Sequence, residues 1–278
     1  MSRYSWGADE FLFVELAEEM SLRANFRAMA IATKLRERRP DGLLDICPAN
    51  ASYQVRFDPD RLEPAVVEKL LRDVDEEVGD AHGFTLDTRI VEVPVFYDDP
   101  WTNETQSRFR DRHQDPSSTD LDYAARINGF AGKQEFIDAH AGAPWFASMV
   151  GFVAGLPFLY QMVPRERQLE VPKYVRPRTD TPALTIGHGG CFGCIYSVRG
   201  AGGYQMFGIT PVPIYEPARG EVFFKAGDIV RFTPIDRARY DELSSDSPSL
   251  RFADVSFDLD EFEADPDGYN RNLLEVLG

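Results

Sequence analysis

The part of the sequence that most constrains the fold lies between residues 145 and 235, where short apolar runs alternate with glycine and proline turns. Runs of about four to eight residues bounded by such turns are typical of β-strands, and a series of them favours a closed barrel or a sandwich. This region therefore predicts a β domain. The expected strands are 146–153, 183–188, 194–198, 204–209, 212–215 and 229–233.

The first 97 residues have a different pattern, in which strand-like and helical segments alternate. Apolar residues at helical spacing predict a helix over 21–39 and a second one that begins at Asp60 or at Glu63–Pro64. Short apolar runs predict strands at 11–17, 43–47, 53–57 and 90–96. The resulting order, β-α-β-β-α-β, predicts a compact α+β domain.

Two further segments do not belong to these patterns. Residues 98–119 are polar and charged, which predicts a long loop or a short helix that is functional or faces a partner. Two short helices are expected at 119–128 and 132–140, and one helix at 266–277 ends an acidic tail. The predicted division of the chain is 1–97 (α+β domain), 98–240 (β-barrel domain) and 241–278 (acidic C-terminal extension).

Composition narrows the class of protein. The 278 residues contain 46 Asp and Glu against 30 Lys and Arg, so the formal net charge is −16. Such acidity argues against binding nucleic acid or an anionic membrane. No run approaches the ~18 apolar residues of a membrane span, and the N-terminus lacks an apolar signal core. Three cysteines do not make a disulfide framework, so we expect a cytoplasmic protein.

The most conspicuous spacing is Cys191-Phe-Gly-Cys194. A C-x-x-C pair is found in zinc sites and in redox proteins, but zinc needs further ligands, and the only histidine nearby in sequence is His188. We interpret the pair as small residues of a tight turn and predict no metal site, with zinc and redox chemistry as the alternatives.

Two histidines are candidate catalytic residues. His188 follows a predicted strand in a glycine-rich bend, where it could act as a general base or a hydrogen-bond donor. His140 ends a predicted helix, whose dipole favours a protonated imidazole. The structural alternative for each is an imidazole that is hydrogen bonded inside the fold.

A small cationic cluster stands out in this acidic chain. Lys173, Arg176 and Arg178 lie within six residues on a proline-rich, extended segment. Such cations bind carboxylates or phosphates. The alternative is local pairing with Glu170 and Asp180. The chain has no P-loop, no GxSxG elbow and no HExxH motif.

Five segments in a fixed order resemble the KipI-like family, subunit 1 of the split allophanate-hydrolase and carboxyltransferase proteins. That family includes the B subunit of bacterial ATP-dependent 5-oxoprolinase. The resemblance covers roughly residues 10–235. The segments that carry it are Gly151–Leu159, the prolines and cations of 172–182, Gly187–Tyr196, Gly202–Pro211 and Gly227–Ile235.

The resemblance implies a small α+β domain followed by a cyclophilin-like β-barrel, which pairs with a homologous, KipA-like subunit 2. In the related urea carboxylase, the two halves are fused and form the carboxyltransferase of a biotin enzyme. In the oxoprolinase, both subunits work beside a third one to open a lactam with ATP. One member inhibits a sporulation kinase.

This sequence departs from the family pattern at several positions. The family's Gln-Thr-Gly is Phe192-Gly193-Cys194, its Pro-Gly-Phe is Ala154-Gly155-Leu156, and the Arg of its Gly-Arg-Thr-Pro is Ile209. Replacing a polar Gln by Phe predicts a substrate more apolar than 5-oxoproline.

We therefore expect a non-autonomous enzyme subunit with 5-oxoprolinase-like, ATP-dependent ring opening. The alternatives are the carboxyltransferase half of a biotin-dependent carboxylase and a non-catalytic kinase regulator. ATP or biotin is expected on partner subunits, with none bound by this chain alone. The expected catalytic residues are Lys173 and Arg178, which would hold a carboxylate, carboxyphosphate or carboxybiotin group, and His188 and His140 as proton carriers. The expected substrate-binding residues are Tyr204, Gln205, Tyr196, Phe192 and Gly155.

Overall fold

A computed structural model describes residues 2–246 and 249–278. Within these residues the strands are β1 (Arg3–Gly7), β2 (Phe11–Glu15), β3 (Leu43–Pro48), β4 (Ser52–Phe57), β5 (Thr85–Tyr97), β6 (Trp145–Val150), β7 (Pro157–Gln161), β8 (Arg178–Thr181), β9 (Thr185–Gly189), β10 (Phe192–Ile195), β11 (Gly200–Gly202), β12 (Gln205–Ile209), β13 (Tyr215–Glu216), β14 (Glu221–Val222), β15 (Ile229–Pro234) and β16 (Arg251–Asp258). The helices are α1 (Leu22–Arg38), α2 (Pro64–Val78), α3 (Pro100–Arg108), α4 (Asp120–Ile127), α5 (Lys133–Ala141), α6 (Arg237–Ser245), α7 (Leu259–Ala264) and α8 (Pro266–Glu275). Short 3-10 turns lie at Arg110–Arg112 and Arg165–Arg167.

The chain divides into two compact units. The first contains Met1–Leu86 and Phe257–Ala264, and the second contains Asp87–Ser256 and Asp265–Gly278. The first boundary therefore falls near the start of β5, between Leu86 and Asp87, whereas the sequence predicts it after this strand, at residue 97. The reason is that β5 pairs with strands of the second unit.

The first unit is built on a four-stranded antiparallel sheet in the order β1-β2-β4-β3. Along β4, Tyr53, Val55 and Phe57 are buried while the residues between them are more exposed, which is the alternation of a sheet with one covered face. The buried faces of α1 and α2 complete this core. Ser21 accepts a hydrogen bond from the amide of Ala24 and begins α1.

The predicted β-α-β-β-α-β order of this unit needs two corrections. The first strand, β1, was missed because its residues are largely exposed and form no apolar run. The last predicted strand belongs to the other sheet. The observed order before β5 is β-β-α-β-β-α. The predicted helices are confirmed, and the second begins at Pro64 with Glu63 as its N-cap.

The second unit is organised around an eight-stranded sheet in the order β12-β9-β10-β7-β6-β15-β5-β16. Because β12 also pairs with β5, seven of these strands form a ring of pairings, and β16 is added at β5. β15 and β5 run parallel, with Ile229 opposite Ile90. Helices α3 and α4 contact β12, and α5 contacts β15. The second unit is thus a mixed α/β structure with one large sheet.

Several predicted segments of this unit differ in detail. Residues 98–119 contain the helix α3, which begins at the buried carboxylate of Asp99, an acceptor for the amides of Trp101 and Thr102. The predicted strand 212–215 is reduced to the short β13. Strand β7 was not predicted.

The described part of the acidic C-terminal extension forms regular secondary structure. Its strand β16 joins the large sheet, and its helix α7 lies in the first unit, where Asp260 accepts from Arg23. The predicted terminal helix is confirmed as α8. Among the described residues, no helix combines the length and the apolar character that crossing a membrane requires.

Candidate functional site

A pocket of about 270 Å³ opens in the second unit. Its side-chain polar groups are an ammonium and two phenols, from Lys173, Tyr196 and Tyr204. The other side chains that line it are mainly apolar, so the pocket combines an apolar body with a few polar groups, which is the usual composition of a small-molecule site. These apolar side chains are Phe152, Leu156, Phe158, Pro177, Cys194 and Ala201.

Glycines make room for the two tyrosine rings. A Cβ atom added to Gly189 of β9 would lie 2.4 Å from Tyr204 Cδ1, and one added to Gly202 of β11 would lie 2.5 Å from the Tyr196 hydroxyl. Both distances are too short for real contacts. The glycine-rich segments that sequence analysis associated with a ligand thus allow the aromatic side chains of the pocket to approach the backbone.

Lys173 supplies the positive charge of the pocket. Its side chain is exposed, and its Nζ lies 5.2 Å from the centroid of the Tyr204 ring. Within the described residues it has no ion-pair partner, whereas Arg165 pairs with Glu170 and Arg176 pairs with Asp111. Of the predicted cationic cluster, Arg176 is therefore paired and Arg178 is buried, and Lys173 is the cation that is exposed to a ligand.

Arg178 is fully buried and does not line the pocket. Its Nε and Nη2 atoms lie 3.3 Å from Thr181 Oγ1, and its guanidinium carbon lies 4.4 Å from the centroid of the Tyr174 ring. Its Nη1 atom has no hydrogen-bond partner in the described part of the chain. Burial raises the pKa of the Tyr196 phenol, and the Arg178 charge opposes this shift. Arg178 thus acts on the pocket through Tyr196.

Gln205 was expected beside Tyr204 in the pocket, but it lies in a separate buried polar cluster. Its Oε1 atom is 2.9 Å from His113 Nε2, and its Nε2 donates to the carbonyl of Pro172 at 2.8 Å. His113 Nδ1 accepts from the amide of Asp115. His113 Nδ1 also lies 2.9 Å from the carbonyl oxygen of Asp115, so both ring nitrogens have polar neighbours.

Asp120 is the centre of this cluster. It is fully buried and accepts hydrogen bonds from the Tyr174 hydroxyl at 2.7 and 2.9 Å and from the amide of Met206 at 2.8 Å. Burial raises the pKa of the Asp120 carboxyl, and these hydrogen bonds oppose the shift. Sequence analysis identified neither Asp120 nor His113 as functional, since no short motif connects His113 with Gln205, 92 positions away.

The cluster and its neighbours hold residues 172–178, which we call the strap. Gln114 Nε2 donates to the carbonyl of Lys173, and Arg112 Nη1 donates to the carbonyl of Pro177 at 2.6 Å. Both Lys173 and Pro177 line the pocket. The polar segment that the sequence predicted to be functional or partner-facing thus fixes one wall of the pocket.

His188 lies in the interior, on the other face of β9 from the pocket glycines. Its Nε2 is 3.1 Å from the carbonyls of both Leu169 and Gly190, so this nitrogen carries the proton. Burial lowers the pKa of His188 to about 4. At neutral pH the imidazole is therefore neutral and fully enclosed.

His140 is equally enclosed. Its Nδ1 lies 2.9 Å from the Tyr97 hydroxyl, and its ring stacks on Phe232 at 5.1 Å between centroids. Burial lowers the pKa of His140 well below its usual value, and the neighbouring His188 acts in the same direction. The structure does not bring either histidine to the pocket. We call His140, His188, Trp145, Phe207 and Phe232 the histidine core.

The remaining predicted positions lie near the pocket without lining it. Phe192 is half-buried and packs against Phe158 with ring centroids 6.3 Å apart. Gly155 has a φ of +76°, and an added Cβ would lie 3.2 Å from Tyr215 Cβ, so a turn requires glycine there.

Both thiols of the C-x-x-C pair are free. Cys194 is buried and lines the pocket, while Cys191 is half-buried. Burial raises the pKa of each thiol. Among the described residues there is no group of three or more potential metal ligands. The apolar wall formed by Cys194, Leu156 and Phe158 could be found in the sequence only through the family resemblance, because apolar strand residues carry no chemical signature.

Comparison with known proteins identifies the family. Residues 2–224 match the family described as carboxyltransferase domain, subdomain C and D. The chain belongs to this family. It is 27% identical to the B subunit of 5-oxoprolinase from Bacillus subtilis over 249 residues, which cover 86% of the chain and 95% of that protein. This confirms the KipI-like resemblance.

Larger proteins contain the same unit. The chain is 24% identical to the urea amidolyase of Saccharomyces cerevisiae over 254 residues, which cover 87% of the chain and 14% of that protein. The crystal structure of the Kluyveromyces lactis urea amidolyase matches with a TM-score of 0.82 at 20% identity, over 100% of the chain and 18% of that protein. The chain is thus homologous to the 5-oxoprolinase B subunit and shares a fold with part of the urea amidolyases.

Proposed function

We propose that this chain is a non-autonomous subunit of an enzyme that opens an amide or lactam, in the manner of an ATP-dependent 5-oxoprolinase, and that its second unit is a cyclophilin-like barrel. The observation that carries the proposal is the alignment with the Bacillus subtilis B subunit, which extends over 95% of that protein. A homologous subunit 2 and a third subunit would complete the enzyme in the cytoplasm.

Two pocket residues have defined roles in this proposal. The Lys173 ammonium holds the carboxylate of the substrate, because it is the exposed and unpaired cation of the strap. The Tyr196 hydroxyl keeps its proton at neutral pH, since burial raises its pKa, and can donate to an amide carbonyl. Arg178 is a positioning residue behind Tyr196. Proton transfer is left to groups of the partner subunits, because His140 and His188 are enclosed.

A second candidate is the carboxyltransferase half of a biotin-dependent carboxylase, which the match to urea amidolyase favours. Carboxylated biotin would supply the carboxyl group, and a partner subunit would deliver it. The polar set of the pocket fits this use, because Lys173 can hold a carboxylate and Tyr196 can donate to a ureido carbonyl. ATP likewise belongs to a partner subunit.

Affinity purification of the tagged chain from its native host separates the two candidates. Recovery of the partner subunits with ATP-dependent hydrolysis of a lactam, and no biotinylated protein on a streptavidin blot, supports ring opening. A biotinylated partner and carboxylation activity support the second candidate. Absence of any partner and of both activities would contradict the subunit assignment.

The role of Lys173 is tested in the assembled enzyme. We expect Lys173→Ala to lower kcat/KM about tenfold, because it removes the ammonium that binds the substrate carboxylate. Arg165→Ala is the matched control, since Arg165 is an exposed cation paired with Glu170 outside the pocket. If both variants were as active as wild type, Lys173 would have no role in binding the substrate.

A further inference from the structure

The apolar walls of the pocket indicate which class of ligand it binds more closely than its cation does. Phe158, Leu156 and Cys194 form an apolar surface, and among the described residues that line the pocket the phenols of Tyr196 and Tyr204 are the side-chain polar groups besides the Lys173 ammonium and the weakly polar Cys194 thiol. A small polar lactam would leave some of its amide groups without partners against such walls. Such a group weakens binding, because it loses its hydrogen bonds to water and gains none in the pocket.

The rim of the pocket carries an exposed aromatic ring. Phe152 is 72% exposed, and its φ of +70° lies in the left-handed region that non-glycine residues rarely adopt. The turn around it is closed by hydrogen bonds from the Gly151 amide to Leu156 at 3.0 Å and from the Val153 amide to Gly151 at 2.9 Å. This turn holds a large apolar side chain in solvent at the pocket entrance, where strain of this kind is typical of ligand contacts.

We propose that the pocket binds a carboxylate with an apolar body, namely an aryl- or branched-alkyl-substituted amide or lactam acid, in preference to 5-oxoproline. This inference rests on the proposed function and names the substrate class of the same site. The carboxylate contacts Lys173, and the apolar body lies against Phe158 and Leu156 with Phe152 over it.

The size of the pocket agrees with this class of ligand. Its volume of about 270 Å³ is close to the lower end of the ~300–1,000 Å³ over which proteins bind drug-sized molecules. A five-membered lactam ring fills only part of such a space. An added aryl group buries apolar surface against the walls, and this is the interaction that would favour the larger ligand.

Calorimetric titration of the full chain tests the preference with three probes: 3-phenylpropanoate, its neutral amide 3-phenylpropanamide, and 5-oxoproline. We expect 3-phenylpropanoate to bind at least tenfold more tightly than 5-oxoproline. Lys173→Gln should weaken the carboxylate probe about fivefold and leave the neutral amide unchanged. Arg165→Gln, outside the pocket, should change neither.

A second variant tests the apolar wall without disturbing the core. Ala201 is exposed and lines the pocket, so Ala201→Leu should fill its entrance and weaken 3-phenylpropanoate at least fivefold, with an unchanged melting temperature. Equal or tighter binding of 5-oxoproline, or no binding of 3-phenylpropanoate, would overturn the inference.

The inference and the proposed function fail in different ways. If the assembled enzyme hydrolyses 5-oxoproline at ordinary rates and the chain prefers it to the aryl probe, the substrate class is wrong and the subunit assignment stands. If the chain shows the aryl preference but purifies without partners and without amide or lactam activity, the proposed function fails and the pocket chemistry stands.

Discussion

The pocket and the histidine core lie on opposite faces of the same strands. Along β9, Gly187 and Gly189 face Tyr196 and Tyr204 of the pocket, while His188 between them points into the aromatic interior. The pocket is open and has an unpaired cation, and the core is closed and holds neutral imidazoles. Neighbours in sequence therefore differ completely in role, since side chains alternate across a strand.

The largest effect is expected in the core. His140→Ala should lower the free energy of unfolding by about 4 kcal/mol, because it leaves a cavity beside Phe232 and an unpaired Tyr97 hydroxyl. Urea denaturation measures the loss, and binding of 3-phenylpropanoate to the folded variant should not change. His82→Ala, at an exposed histidine, is the control. A loss below about 1 kcal/mol, or weaker ligand binding, would contradict the separate roles of the histidine core in stability and of the pocket in binding.

The next effect is a dependence of stability on pH. The pKa of His188 is about 4 in the folded chain against a usual value of 6.5, so the unfolded state binds more protons between these values. The contribution of His188 to the free energy of unfolding is therefore complete above about pH 6.5. It decreases by about 3 kcal/mol as the pH falls through this range to below 4.

Urea denaturation at several pH values measures this dependence. His188→Gln keeps a donor for the backbone carbonyls and should give a shallower decline with falling pH than wild type. Asp120 is present in both proteins. The His188 charge also lowers the pKa of His140, so replacing His188 reduces the His140 contribution too and makes the decline shallower in the same direction. Identical slopes would show that His188 is not held neutral by burial.

The comparison of the two faces also explains how far the sequence predicts the structure. Strand and helix positions follow from local patterns, so α1, α2, α4, α5 and α8 were predicted to within a few residues. The family resemblance located the pocket segments. The assignment of β5 could not be predicted locally, because its pairing with β12 and β15 joins residues more than 100 positions apart.

Three of the predicted site residues, Lys173, Tyr196 and Tyr204, line the pocket, and their roles there stay predictions. The prediction grouped Gln205 with Tyr204 and His188 with its flanking glycines, although strand alternation places each pair on opposite faces. Lys173 remains available because Arg176 pairs with Asp111, 65 positions away, and this pairing depends on tertiary structure.

The smallest expected effects come from removing one tyrosine hydroxyl beside the pocket and one at the histidine core. Tyr174→Phe removes the hydroxyl that donates to the buried Asp120, and Tyr97→Phe removes the one that bonds His140. We expect each to lower the free energy of unfolding by about 1–2 kcal/mol, more for Tyr174 because its acceptor is a carboxylate. Only Tyr174→Phe should also weaken 3-phenylpropanoate, about threefold, since Tyr174 lies in the strap beside Lys173.

Calorimetry and urea denaturation of both variants provide the readouts. A purely structural role for Tyr174 would lower stability and leave the affinity unchanged, as expected for Tyr97→Phe. The split between stability and affinity therefore reports whether Asp120, through Tyr174, holds the strap in position for a ligand. If both variants bind the probe like wild type, the pocket wall does not depend on this hydrogen bond, and the contacts of Gln114 and Arg112 suffice to hold it.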